Sequence, residues 1–172
     1  PAAAPRLEEL AGRVDAVGFG PGMMDPEEAG ALARAMLRAV RSPVAFLLDA
    51  AAICGLEPDS AGRHAGRLVL TPHAGEMAQM LGIPRTAVED DPLGAGREAA
   101  RRFQAVVVVK GPDSQVVTPQ GASLRVRGGG VGLATSGSGD VLAGAITGLL
   151  ARGAAPLVAA ASCSARACAA VS

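Results

Sequence analysis

A chain of 172 residues with 49% hydrophobic content is long enough to form one domain around an ordinary core. Its formal net charge of zero and the lack of a basic run exclude the electrostatic footprint of a nucleic-acid binder, and no apolar stretch reaches spanning length without Gly, Pro or charge. No signal-peptide pattern follows Pro1, and Cys54, Cys163 and Cys168 lack metal-ligand spacing, which favours small buried roles in a reducing compartment; the cytoplasm is the expected location.

In chain order, PAAAP reads as a loose end, and Val14 to Phe19 as a short strand that breaks at Gly20, Pro21 and Gly22. A helix follows. Asp25 and Glu28 have capping-box spacing, Pro26 suits the first helical position, and Ala29, Leu32, Ala33, Met36, Leu37 and Val40 share one face. VAFLLD reads as a buried strand ending in Asp49, and RLVLT as another ending at Thr71 and Pro72. Between them, His64 in AGRHAGR is expected to be a solvated loop residue. After PHAGE, a short helix over about Glu76 to Leu81 stops at Gly82. Pro92 to Phe103 is a more polar helix, and AVVVV a further buried strand. Val116 and Val117, a TPQG turn and Ser123 to Arg127 form a hairpin near the sheet edge. Asp140 to Arg152 is a strongly apolar helix capped by Gly153, and Pro156 to Val171 an Ala-rich one.

Strands that are continuously apolar and alternate with helices argue an α/β fold, with a mostly parallel sheet covered on both faces. The polar motifs GFGPG, Asp49, TPHAGE and KGPDS each follow a strand. In an open parallel sheet those carboxyl ends share one edge, where ligands bind.

One stretch, TSGSGD, places Ser136, Gly137, Ser138 and Gly139 directly before an apolar helix opened by Asp140. Backbone N–H groups there converge on an anion, and the helix dipole favours negative charge, so the loop reads as a phosphate cradle. A carboxylate beside such a cradle suits a base that takes a proton from a reacting hydroxyl; a simple helix-start carboxylate would leave the glycines unexplained. Neither a P-loop nor a Rossmann fingerprint in its strand-to-helix setting is present. Of sixteen basic residues fifteen are Arg, and the single Lys is Lys110 at a strand end. A compact ammonium is the expected need there, or else chance retention. With Gly111 and Ser114 it offers a polyphosphate a cation, a close backbone approach and a hydroxyl. His73 and Glu76 read either as site residues or as a capping cluster, Asp49 as holding a loop, and Gly20 and Gly22 as site or turn residues.

Taken together, GFGPGM, FLLDAAAI, LTPHAGEMAQMLG, VVVVKGPDSQVV and GGGVGLATSGSGDVLAGAITGLLARG resemble the ADP- or ATP-dependent NAD(P)H-hydrate dehydratases of the ribokinase-like superfamily, over about Val14 to Ala170. The resemblance implies a single ribokinase-like three-layer domain over residues 1–172, truncated at both ends relative to the family's usual extent. It implies repair of hydrated NADH or NADPH: the ring hydroxyl is phosphorylated from ADP or ATP and phosphate is eliminated. On the matching positions, Asp140 is the catalytic base and a substrate contact. Gly137, Ser138 and Gly139 form the anion hole, while Lys110, Gly111, Pro112, Asp113 and Ser114 hold the adenine nucleotide with Mg2+ on its phosphates. Gly22 and His73 line the hydrated nicotinamide. Family members are often homo-oligomers, tetramers among them. Ala51 stands where the family usually has a second carboxylate, Ala74 where it has Pro, Gly130 and Val131 where it has Asn-Pro, and Ser136 where it has Gly. Two other readings remain at this point: a small-molecule kinase of the same superfamily, and a catalytically idle nucleotide-binding subunit.

Overall fold

The computed structural model describes residues 4–40, 43–58, 62–127 and 137–169. Six strands form one sheet in chain order: β1 (Ala16–Phe19), β2 (Ala45–Leu48), β3 (Leu68–Leu70), β4 (Val106–Val109), β5 (Ser114–Val117) and β6 (Ser123–Val126). The first four are parallel; β5 and β6 are antiparallel, forming the expected hairpin at one edge. The helices are α1 (Ala4–Ala11), α2 (Pro26–Ala39), α3 (Ala51–Cys54), α4 (Ala74–Leu81), α5 (Arg85–Asp90), α6 (Pro92–Phe103), α7 (Ser138–Ala151) and α8 (Pro156–Ala169), with a single 3-10 turn at Gly62–His64.

The three-layer arrangement follows from the strand sequences. In β2 and β4 alternate residues point to opposite faces, yet every one is apolar, so both faces need cover. Phe46, Leu48, Leu70, Val107 and Val109 pack with Leu37, Met77 and Phe103 on one side. Leu47, Val69, Val106 and Val108 pack with Ile146, Leu150 and Ala160 on the other. Parallel strands laid down in one direction need right-handed crossovers, which put α2 to α6 on the same face. The chain covers the second face only after β6, with α7 and α8.

Several boundaries differ from the sequence expectation. The loose end is instead α1 from Ala4 onward, stitched by Arg6–Glu9 and Glu9–Arg13 pairs, with Ala11 buried. Its tail carries on into Arg13 and Val14, whose N–H groups bond back to Leu10 and Ala11, so β1 starts at Ala16. Asp25 caps α2 through the N–H groups of Glu27 and Glu28, and the reciprocal capping box lies elsewhere, at α4. There His73 Nδ1 accepts from the N–H groups of Gly75 and Glu76, while Glu76 accepts from the N–H of His73, so α4 opens at Ala74. The helix expected from Asp140 opens at Ser138, after Gly137 turns the chain in the left-handed region at φ 87°. The short helices α3 and α5 carry no periodic apolar signal long enough to read.

His64 corrects another expectation, since it is 1% exposed rather than solvated. Its ring meets Phe46 edge to face at 4.8 Å and its Nε2 lies 2.8 Å from the Leu37 carbonyl. The 3-10 turn keeps Gly62 and Arg63 outward while aiming the imidazole at the end of α2, which the polar neighbours in the sequence conceal. Among the described residues, no helix is long and apolar enough to cross a membrane.

Candidate functional site

The carboxyl ends of β1 to β4 meet along one edge, as the placement of the motifs predicts. There the pairing of β3 with β4 runs one step past the strands: Lys110 N–H donates to the Pro72 carbonyl at 2.8 Å, and His73 bridges to Lys110. Gly20 ends β1 at φ 118°, and a Cβ on it would lie 1.8 Å from the Asp49 carbonyl oxygen, so only glycine permits this approach of β1 to β2. Beyond Asp49 the chain turns sharply through Ala50, which is held at φ 49°. Ala51, the position of the family's usual second carboxylate, opens α3.

Lys110 is the centre of this edge. Its Nζ donates to Asp49 Oδ1 at 2.7 Å and stands 3.8 Å from Glu76 Oε2. Asp49 thus does more than hold a loop: its side chain is 3% exposed and forms an ion pair across 61 residues of sequence. No local pattern could reveal that contact; the presence of one lysine in an arginine-rich chain is the signal that points to it. Glu76, which also caps α4, is the second carboxylate beside Lys110.

Two cavities flank this ion pair. One, of about 560 Å³, is lined by His73, Lys110, Gly111, Pro112 and Asp113, with Arg85 and Glu89 from α5. The other, of about 500 Å³, is lined by Gly18, Gly20, Pro21, Asp140 and Thr147. The expected nucleotide segment is therefore gathered in one cavity together with His73, and Asp140 faces the other. Gly139 links them, because a Cβ there would lie 3.6 Å from Lys110 Nζ. Gly137 and Ser138 open α7, and Gly137 brings no side chain to the first N–H groups of that helix. Asp113 is ion-paired to Arg125. Ser114 is buried at the start of β5, opposite Val126, and lines neither cavity. Gly22 sits in the turn after β1 at φ 77° and likewise lines neither. Ser136, Gly130 and Val131 lie outside the described residues.

Asp140 is exposed in the first turn of α7, and among the described residues nothing hydrogen-bonds or ion-pairs with its carboxylate. Burial raises the Cys54 thiol above its ordinary pKa and the Glu76 carboxylate adds to that, while burial also raises Cys163.

A family model described as NAD(P)H-hydrate dehydratase matches residues 2–172. The chain belongs to this dehydratase family. It is 44% identical over 155 residues to the ADP-dependent (S)-NAD(P)H-hydrate dehydratase of Xanthomonas campestris, a match that covers 90% of this chain and 52% of that protein. It is 41% identical over 160 residues to the bifunctional NAD(P)H-hydrate repair enzyme Nnr of Moorella thermoacetica, covering 91% of this chain and 29% of that one. The Bacillus subtilis ADP/ATP-dependent NAD(P)H-hydrate dehydratase, co-crystallized with ATP/Mg2+, superposes with a TM-score of 0.75 at 28% identity, over 90% of this chain and 54% of that chain. An Enterococcus faecalis ribokinase-like superfamily protein superposes with a TM-score of 0.79 at 22% identity, over 96% of this chain and 57% of that chain. The fold is thus ribokinase-like, and this dehydratase-family chain spans about half the length, or less, of the relatives it matches.

Proposed function

We propose that this protein restores hydrated NADH or NADPH at the expense of ADP or ATP. The observation that carries the reading is the Asp140 carboxylate, without a partner among the described residues, in the first turn of a helix whose N-terminus lies beside a paired lysine. A phosphate entering at α7 meets converging N–H groups and the positive end of the helix dipole. Asp140 takes the proton of the ring hydroxyl as its oxygen bonds to the transferred phosphorus and the nucleotide's bridging oxygen leaves. Loss of the new phosphate ester from the ring, with a ring proton, then regenerates the reduced nicotinamide. Gly137, Ser138 and Gly139 supply the anion hole and Lys110 to Ser114 the nucleotide segment, with Ser114 buried behind the cavity wall; Gly22 meets the substrate from the turn after β1, and His73 from the cavity that it shares with Lys110.

The residues fit a nucleotide, since the cavity beside Lys110 is open to the backbone of Gly111 to Asp113. Magnesium on the phosphates would neutralise the charge being moved. The names of the Xanthomonas and Moorella relatives and the ATP/Mg2+ complex of the Bacillus protein support this reading. It extends to a cytoplasmic homo-oligomer acting on small molecules.

The test is recovery of reduced-nicotinamide absorbance from hydrated NADH with magnesium and ADP or ATP. Recovery should require nucleotide and fall about 10²–10⁴-fold in Asp140→Asn, the usual range for losing a general base. Accumulation of a stable phosphorylated product would favour a small-molecule kinase, and nucleotide binding without turnover an idle subunit.

A further inference from the structure

The reaction proposed above leaves a buried charge without a task. Asp49 lines neither cavity, yet its carboxylate is held at the end of β2 against Lys110. Its partner occupies an unusual place. An ideal Cβ on Gly139 would stand 3.6 Å from Lys110 Nζ and 3.8 Å from Asp49 Oδ2, which sets the ion pair against the first turn of α7. That end of a helix carries positive partial charge and repels an ammonium. Glu76 is too far to hold the cation alone, at 3.8 Å, and its Oε2 is already engaged by the His73 N–H at 2.8 Å.

We propose that Asp49 is a positioning residue, which holds the Lys110 ammonium beneath the N-terminus of α7 so that an arriving phosphate meets a cation already in place. This rests on reading that N-terminus as the phosphoryl-transfer site. A lysine carries four rotatable bonds, and an unpaired one would point to solvent rather than toward a like charge. Asp49 cancels the repulsion before the nucleotide binds, and the pair leaves the remaining ammonium protons for phosphate oxygens. Preorganised charge of this kind acts on the transition state more than on ground-state binding.

The experiment has two arms. Steady-state repair kinetics are compared for the parent, Asp49→Asn, Lys110→Met and the double variant. Asp49→Asn should lower kcat about 10-fold or more with the KM for hydrated nicotinamide nearly unchanged, and should add less than about twofold once Lys110 is gone. Multiplicative losses in the double variant would overturn the proposal. The second arm needs no activity: Lys110 is the only lysine in this sequence, so lysine-selective ¹³C labelling gives a single Cε resonance. Its relaxation should be that of an ordered side chain in the parent and of a freely rotating one in Asp49→Asn. An ordered Lys110 in that variant would overturn the proposal even if repair were confirmed. Should the parent show no repair, the reaction reading fails while the relaxation arm still decides whether Asp49 fixes Lys110. Asp49→Ser carries the same measurement if the Asn variant does not fold.

Discussion

The two cavities at the sheet edge are similar in size but opposite in how their charges are settled. Around the His73 cavity each charged residue has a partner: Lys110 with Asp49, Asp113 with Arg125, and Arg85 with Glu89, while the His73 ring lies beside Glu76. In the cavity beside β1, Asp140 faces open space and has none among the described residues. Partnered charges define a shape and a fixed field, which is what binding a nucleotide uses. An unpartnered carboxylate is left to take a proton, which is what the chemical step uses. On the proposed function, the difference would divide the labour between two regions that the sequence alone presents as a single set of motifs.

The largest stability change should come from breaking the wall the two regions share. Gly20 lines the Asp140 cavity, while the Cβ it lacks would overlap the backbone of Asp49, the residue that holds Lys110. Gly20→Ala combines a disfavoured positive φ with a 1.8 Å overlap, and should cost about 3 kcal/mol or more, read as a lower urea midpoint. Both activity and nucleotide binding should fall together. A variant that lost only one of them would show the cavities to be independent.

A smaller change sharpens the contrast from the other side. Glu76 closes the capping box of α4 and is the second carboxylate near Lys110. Glu76→Ala should cost about 1–2 kcal/mol through the lost cap, and weaken nucleotide binding. Glu76→Gln keeps an acceptor for the His73 N–H and should recover most of that stability. Nucleotide affinity that stayed low in Glu76→Gln would then report the missing charge rather than the missing cap, in a titration calorimetry comparison.

How much of this was legible follows from range. The fully apolar runs of β2 and β4, the Asp25 and Pro26 start of α2 and the apolar helix after TSGSGD are local patterns, and they placed the sheet, its covered faces and the start of α7 to within two residues. The Asp49–Lys110 pair joins residues far apart in the chain and had only the lone lysine to hint at it. For His73 the sequence left two readings open, site residue or capping cluster, and the structure shows the capping box, although an imidazole is not among the usual capping residues. Helices α3 and α5 are too short for a repeating apolar face, and their ends are set by what they pack against.

His64 supplies the smallest effect and separates stability from chemistry. It lines neither cavity, and burial pushes its pKa below the ordinary value, opposed in part by the hydrogen bond to the Leu37 carbonyl; Arg67 and Arg63 also favour the neutral ring. Its Nδ1 is buried without a hydrogen-bond partner, so the folded protein prefers neutral imidazole with the proton on Nε2. A His with a depressed folded pKa binds its proton more readily when unfolded. Unfolding free energy should therefore be flat above the unfolded value of about 6.5 and decline as pH falls below it, by under about 1.4 kcal/mol per pH unit for one proton. His64→Gln should lower stability at pH 7.5 yet remove this part of the decline between pH 6.5 and 5, as followed by urea titrations. Because the ring is remote from Asp140, the same variant should leave the pH profile of repair in the folded range unchanged. A shift in that profile would mean that the 3-10 turn communicates with the cavity, and the division between a structural histidine and a catalytic carboxylate would have to be redrawn.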